Sequence, residues 1–313
     1  MHVEYLLSDF DFNLPKELIA QEPSKQRNLS KLIVPFLNMS IYDFDYITNL
    51  FDENDVLVIN DSKVIKARFN ATCLRSKRAH EILFIRDLKD NKWEAIIYNT
   101  KHVKVGDVLT LNEDCYFELL TKKGYTNELK IFSKHNFYEV MNSKGEVPLP
   151  PYINRDGSDN PLDEERYQTV YAKHPGSSAA PTAGLHFTQD MLTQLENKGV
   201  KILKTTLHVG PGTFLPVKTN NLNEHQMHSE HISLAPSVAN ELNDFLINRK
   251  RINAVGSTSL RVLESCFNGQ TFFPYEGLTD IFIYPPQTVK SVDRLITNFH
   301  LPKSTLFMLV ASF

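Results

Sequence analysis

PSVANELNDFLINRKRINAVGSTSLRVLESCF, residues 236–267, is the stretch from which the fold can be read. Pro236 suits the first position of a helix, where its missing N–H would have had no intrahelical partner. Val238, Leu242, Phe245 and Leu246 recur at helical spacing, and Arg249, Lys250 and Arg251 complement the negative end of that helix. Ile252 to Val255 then reads as a strand, and Ser259 to Phe267 as a second, short helix. The rhythm extends upstream. Thr188 fits an N-cap, Asp190 suits the first turn, Met191, Leu192 and Leu195 share a face, and Lys198-Gly199 ends the helix before a strand over Val200 to Val209. Thr279 to Tyr284 and Arg294 to Ile296 read as further strands, and Val56 to Ile59 is a similar strand near the N-terminus. Alternating strands and helices imply a largely parallel sheet covered on its faces.

Between these segments the pattern changes. Ile82 to Ile85, Trp93 to Tyr98, Val108 to Leu111, Tyr116 to Leu120 and Leu129 to Phe132 are short aliphatic and aromatic runs separated by polar turns, which predicts a small antiparallel barrel or sandwich. Val147-Pro148-Leu149-Pro150-Pro151 is its exit, since proline does not continue a ladder. The expected fold class is α/β: a discontinuous three-layer α/β domain, residues 1–64 and 148–313, with a small antiparallel β-barrel domain, residues 65–147, inserted into it.

A length of 313 residues fits two domains at about 150 residues each. Hydrophobic residues make up 42% and charged residues 23%, an ordinary globular composition that excludes a disordered or fibrous chain. The net charge of −3 advertises no polyanion partner, but residues 60–135 carry 15 Lys/Arg against 10 Asp/Glu, so this one segment could face phosphates. Solubilising lysines on a strand-rich unit explain the same surplus. Cys73, Cys115 and Cys266 lie far apart with no CxxC pair, which argues against a disulfide framework or zinc ribbon and for a reducing compartment. Met1 to Phe10 lacks the pattern of a signal peptide, and the longest apolar run, Leu306 to Ala311, is too short to cross a bilayer. A cytoplasmic protein without membrane contact is expected. The apolar end of the chain is either a buried element or the start of a longer one.

Ligands of open α/β sheets bind beyond the carboxyl ends of the strands, and four such places carry unusual residues. His208 and Gly210-Pro211-Gly212-Thr213-Phe214 follow one strand; the glycines permit close backbone approach and an anion-binding cluster of N–H groups, or simply a tight turn. Gly256-Ser257-Thr258-Ser259-Leu260-Arg261 brings hydroxyls and a guanidinium to a helix start, a carboxylate or phosphate site, or an ordinary cap with a solvated arginine. Asn298, His300 and Lys303 share the short segment 297–304, and the Pro/Gly-containing segment Ala180 to Thr188 delivers His186. Seven of the 11 histidines lie from residue 174 onward, and imidazoles suit acid/base work near neutral pH. His225, His228 and Glu230 tempt a metal reading, but their spacing fits no standard zinc pattern and no metal is expected.

Several long motifs together resemble the S-adenosylmethionine:tRNA ribosyltransferase-isomerases of queuosine biosynthesis: AQEP at 20–23, VINDSKVIKAR at 58–68, Leu149 to Ile153, RYQTVY at 166–171, APTAGLHFT at 180–188, LHVGPGTFLPV at 207–217, HQMHSE at 225–230, AVGSTSLRVLES at 254–265, TDIFIYP at 279–285 and TNFHLPKSTL at 297–306. The resemblance covers nearly the whole chain in order. Mild departures are Lys63 where that family has Arg, Lys66 and Ser257 where it has Pro and Thr, and Pro286 where it has Gly. Members of the family continue past the position of Phe313 in a helical tail. The resemblance implies a discontinuous α/β domain with an inserted barrel. It also implies transfer of the ribosyl part of S-adenosylmethionine to the aminomethyl group of the deazaguanine preQ1 at the tRNA wobble position, with rearrangement to epoxyqueuosine and release of adenine and methionine. S-adenosylmethionine is then a co-substrate, tRNA carrying preQ1 is the partner, and no prosthetic group is implied; a monomer is expected.

That chemistry needs a base to deprotonate the ribose methylene beside the sulfonium, an acid for adenine, a site for methionine and a cradle for RNA. His186, His208, His228 with Glu230, and His300 are the proton-transfer candidates. Arg261 with Ser257, Thr258 and Ser259, together with Gly210 and Gly212, would hold the methionine carboxylate or a nearby phosphate. Asp280 could hold a ribose hydroxyl or amine, and Asn298 and Lys303 complete the substrate-binding set. Lys63, Lys66 and Arg68 could grip the anticodon-loop backbone. Two rival readings are a metal-dependent hydrolase using His225, His228 and Glu230, which EDTA would inhibit, and a noncatalytic RNA-binding protein, which would bind tRNA without S-adenosylmethionine.

Overall fold

The structure, a computed structural model, describes residues 5–153, 161–210, 212 and 217–313. The chain divides into two compact units: Met1–Lys63 with Pro150–His174 and Ala180–Phe313, and Val64–Leu149 with Pro175–Ala179. The first unit opens with an antiparallel pair, β1 (Lys31–Val34) and β2 (Ser40–Asp43), followed by β3 (Asp55–Asn60). β4 (Ser62–Val64) then leads into the second unit.

There β5 (Arg68–Cys73), β6 (Ala79–Lys89), β7 (Lys92–Ile97), β8 (Val108–Asn112), β9 (Cys115–Lys123) and β10 (Thr126–Ser133) close into a barrel in the order β10-β7-β6-β5-β8-β9. Closure leaves no free sheet edge. Inward positions hold large apolar side chains, among them Phe69, Phe84, Phe117 and Leu129, each contributing about 1.5–3 kcal/mol by its burial. α1 (Phe137–Lys144) is capped by Asn136, whose Oδ1 accepts from the Tyr138 N–H at 2.9 Å. It lays Phe137 edge-on to Phe84 with centroids 4.8 Å apart. β5 was not among the expected strands: Phe69, Ala71 and Cys73 point inward, but small Ala71 and Cys73 blur the alternation. Pro175–Ala179 also belongs to the barrel unit, outside the expected range of 65–147; there Ser177 O accepts from Ile65 N at 3.0 Å.

After α2 (Pro161–Arg166) and β11 (His174–Ser177) come α3 (Gln189–Asn197), β12 (Lys201–Leu207), β13 (Glu230–Leu234), α4 (Pro236–Ile247), β14 (Arg251–Val255), α5 (Gly256–Ser265), β15 (Tyr275–Thr279), β16 (Arg294–Ile296) and α6 (Thr305–Ala311). The large sheet has the order β15-β13-β12-β3-β14-β16. β12, β3, β14 and β16 are parallel, and β13 is antiparallel to both β12 and β15, so five strands run one way and β13 alone is reversed. All six positions of β3 are buried, as a strand covered on both faces requires. On one face Leu57 and Ile59 share a core with Met191, Leu192 and Leu195 of α3.

The expected strand over Thr279 to Tyr284 is displaced: β15 ends at Thr279. Its ladder partner is β13, and Glu230 pairs with Thr279, so beyond that position there is no strand to pair with. The apolar residues that suggested a strand pack instead, with Phe282 edge-on to His225 and both Phe282 and Tyr284 against the cluster of Phe10, Leu222 and Met308. The helix expected from Ser259 starts three residues earlier, at Gly256. The apolar C-terminal run is a buried helix, α6, with Met308 and Leu309 inside.

Candidate active site

Four parallel strands end on one edge of the sheet, and a polar segment follows each. Asp61 and Ser62 follow β3, His208 to Gly210 follow β12, Gly256 to Ser259 follow β14, and Thr297 and Asn298 follow β16. Because β13 is reversed, its first residue, Glu230, faces the same edge, as does Asp280 after β15.

Asn60, the last residue of β3, ties two of these ends together. Its Nδ2 donates to Leu207 O at 3.0 Å, while its Oδ1 accepts from Leu207 N at 3.0 Å and from Ser62 N at 3.1 Å. Ser62 is thereby fixed, and its Oγ lies 2.7 Å from His208 Nδ1. His208 donates its backbone N–H to His231 O at 2.9 Å, and the two imidazoles stack with centroids 5.8 Å apart. Burial, then the neighbouring His231 and His174, pulls the His208 pKa down to about 4. Asp61 accepts from Thr206 Oγ1 at 2.7 Å and stands 3.5 Å from His174 Nε2.

A second group is centred on Arg261. Only 3% of this residue is exposed, and its Nη1 donates to Glu230 Oε2. Glu230, 5% exposed, accepts from Gly210 N through Oε1 at 2.9 Å. Nε and Nη2 of Arg261 are buried and have no hydrogen-bond partner among the described residues, nor does Thr258 Oγ1. α5 starts at Gly256 in the left-handed region, φ +84°, without a side-chain cap. The Ser259 Oγ donates back to Val255 O at 2.8 Å and so does not cap the helix. The first N–H groups of α5, the Thr258 hydroxyl and the spare guanidinium N–H groups are a donor-rich set of the kind that binds a carboxylate.

His186 and Asn298, far apart in sequence, meet with Asn298 Nδ2 at 3.1 Å from His186 Nε2. The His186 ring packs on Phe44, and burial lowers its pKa. Burial alone pulls His300 to about 4. At neutral pH these imidazoles are uncharged.

Other expected residues are placed differently. His228 is exposed and packs against Gly212, where a Cβ would sit 2.6 Å from the His228 side chain. The Nζ of Lys303 pairs with Asp11 at 2.7 Å. Asp280 is exposed beyond the outermost strand. Pro211, Thr213 and Phe214 lie outside the described residues. Among the three RNA candidates Lys63 is exposed, Lys66 is half-buried, and Arg68 is occupied, donating to Leu149 O at 3.2 Å with Glu81 at 3.6 Å. Within the basic segment Arg75, Arg86, Lys123 and Lys134 also pair with carboxylates. Among the described residues no group of three or more His, Cys, Asp and Glu side chains is arranged to hold a metal ion. A cavity of about 630 Å³ lined by Arg27, Asn49, Thr188, Asp190 and Gln194 contains none of the expected site residues.

Sequence reasoning missed Asn60, Ser62, His231 and Arg27. Arg27 donates to Leu185 O at 3.1 Å and to Glu165 O at 2.8 Å, fixing the backbone beside His186. Asn60 and Ser62 carried a signal, a polar run directly after an apolar strand. The roles of Arg27 and His231 appear only once distant segments are brought together.

The family described as queuosine biosynthesis protein matches residues 7–313. This chain belongs to that family. Curated relatives named S-adenosylmethionine:tRNA ribosyltransferase-isomerase from Desulforamulus reducens and Sulfurihydrogenibium sp. are each 42% identical, covering 98% of this chain and 90% of the relative. One of the same name from Staphylococcus haemolyticus is 42% identical over 98% of this chain and 91% of its own. The crystal structure of the S-adenosylmethionine tRNA ribosyltransferase from Thermotoga maritima is similar with a TM-score of 0.50 and 33% identity, covering 97% of this chain and 89% of that one. The queuosine biosynthesis family thus spans both units, the barrel as well as the sheet.

Proposed function

We propose that this chain is an S-adenosylmethionine:tRNA ribosyltransferase-isomerase, which transfers and isomerises the ribosyl part of S-adenosylmethionine onto preQ1 at the tRNA wobble position. The products are epoxyqueuosine-tRNA, adenine and methionine. The observation that carries this reading is 42% identity over 98% of the chain to enzymes of that name. The donor-rich start of α5 beside the buried Arg261 supports it, because a co-substrate ending in an amino-acid carboxylate needs such a partner.

The sulfonium of the co-substrate acidifies the adjacent ribose methylene, and a neutral imidazole is the residue type able to take that proton. His186, His208, His228 and His300 remain the candidates. Glu230 is better placed as an anchor than as a base, since both its oxygens are engaged by Gly210 and Arg261. Ser257, Thr258, Gly210 and Gly212 would line the methionine end, with Asn298 setting His186. Lys63, which is exposed, would meet the RNA backbone, with Lys66 and Arg68 near it in sequence.

On this reading no prosthetic group or metal takes part, so turnover survives EDTA. The chain acts in the cytoplasm as a monomer, which sedimentation equilibrium checks. Mass spectrometry of a preQ1-bearing anticodon stem-loop after incubation with S-adenosylmethionine tests the reaction: epoxyqueuosine with release of adenine is expected, and an unmodified stem-loop rejects it.

A further inference from the structure

We propose that the Ser62 hydroxyl holds His208 as its Nε2–H tautomer, so that this imidazole meets the substrate as a hydrogen-bond donor and not as the base that opens the reaction. The catalytic half of the inference rests on the function proposed above; the tautomer does not. Ser62 has no exposed surface, and among the described residues its Oγ has one polar partner, His208 Nδ1 at 2.7 Å. A hydroxyl carries a single proton. If Nδ1–H donated to Oγ, the Ser62 proton would be left in the interior without an acceptor, at a cost of about 1–3 kcal/mol. If Oγ donates to Nδ1, both groups are satisfied, and the one ring proton resides on Nε2.

The main chain that carries both groups is fixed. Ser62 N is bonded to Asn60 Oδ1, and the Asn60 amide is itself held by both backbone groups of Leu207, the residue before His208. Donor and acceptor thus stand on two strand ends joined by one side chain. The other titratable groups facing His208 are His231, whose ring is stacked on it, and His174, which has Asp61 beside it. A second proton on Nδ1 would point at the Ser62 proton, so the imidazolium is disfavoured by the same geometry that selects the tautomer. A neutral ring with hydrogen on Nε2 gives a hydrogen bond to an atom gaining electron density, such as a nitrogen of departing adenine or a ribose oxygen. Proton abstraction then falls to another of the imidazoles.

Long-range proton–nitrogen NMR of the ¹⁵N-labelled full chain at neutral pH, without substrates, reads the tautomer directly, with His208→Gln identifying the signals. Nδ1 in the unprotonated range and Nε2 in the protonated range are expected; a protonated Nδ1, or two averaged nitrogens, overturns the proposal. Ser62→Thr keeps the hydroxyl and should keep both the tautomer and kcat. Ser62→Ala should average the two nitrogens and lower kcat about 100-fold, the low end of what one hydrogen-bond donor to developing charge supplies, with KM for S-adenosylmethionine nearly unchanged. An unaltered tautomer or unaltered kcat in that variant overturns the positioning role, and should it fail to fold, the wild-type and Ser62→Thr spectra decide. A wild-type chain with the expected tautomer but no transferase activity would overturn the function proposed above and leave the tautomer standing.

Discussion

Arg261 brings a full charge into a place where almost none of it reaches solvent, and among the described residues its acidic partner is Glu230. Truncating one member of such a pair leaves an uncompensated buried charge, so Arg261→Met should lose about 3–5 kcal/mol of stability, measured by urea unfolding. Histidines set the pH response. His208 and His300 have pKa values near 4, below the ordinary 6.5, because burial disfavours the charged ring. A group whose pKa is lower in the folded chain favours folding above its unfolded value, and that contribution disappears as pH falls from about 6.5 toward 4. The melting temperature should therefore drop across that window, and His300→Asn should flatten the drop. Gly212→Ala tests a single close approach: the new Cβ would stand 2.6 Å from the Cβ of His228 as well as from its ring, so the backbone must give and the melting temperature should fall.

At the level of elements, α5 depends on how it begins. Gly256 takes φ +84°, and a Cβ there would come within 3.2 Å of Thr258 Oγ1. Gly256→Ala should cost about 1–2 kcal/mol and disturb the first turn, seen as a lowered melting temperature together with a raised KM for S-adenosylmethionine. The sequence shows where this helix and its neighbours run because β3, β12 and β14 are central strands whose buried residues are mostly apolar whatever their partners. Edges are harder to read. β13, with Glu230, His231 and Ser233 in five residues, has the composition of a loop, and β15 carries Glu276 and Gly277. β13 is a strand because it pairs with β12 and β15, and β15 because it pairs with β13, which no local pattern reveals. The site divides the same way. Gly256 to Arg261 and His208 announce themselves as odd residues after strands, whereas the commitment of Lys303 to Asp11 and of Ser62 to His208 is made across the chain.

For the molecule as a whole, the basic surplus of the barrel segment is partly spent in internal pairs, which engage Arg75, Arg86, Lys123 and Lys134. Binding to a preQ1-bearing tRNA should still weaken with salt, since each phosphate contact releases counterions. Lys63 is exposed, so Lys63→Ala should reduce the slope of log affinity against log salt by about one while the melting temperature stays, read by titration at several salt concentrations. β3 has one more consequence. It pairs with β12 and β14, yet Lys201, opposite Val56, is made about 145 residues after it, which at about 5–20 residues per second is roughly 7–30 s of translation. For that interval a strand with the apolar centre Val56 to Ile59 stands on the nascent chain without its sheet, and the barrel, whose ladders lie close together in sequence, has time to form first. Ribosome-associated chaperones should find their main client segment at Asp55–Asn60.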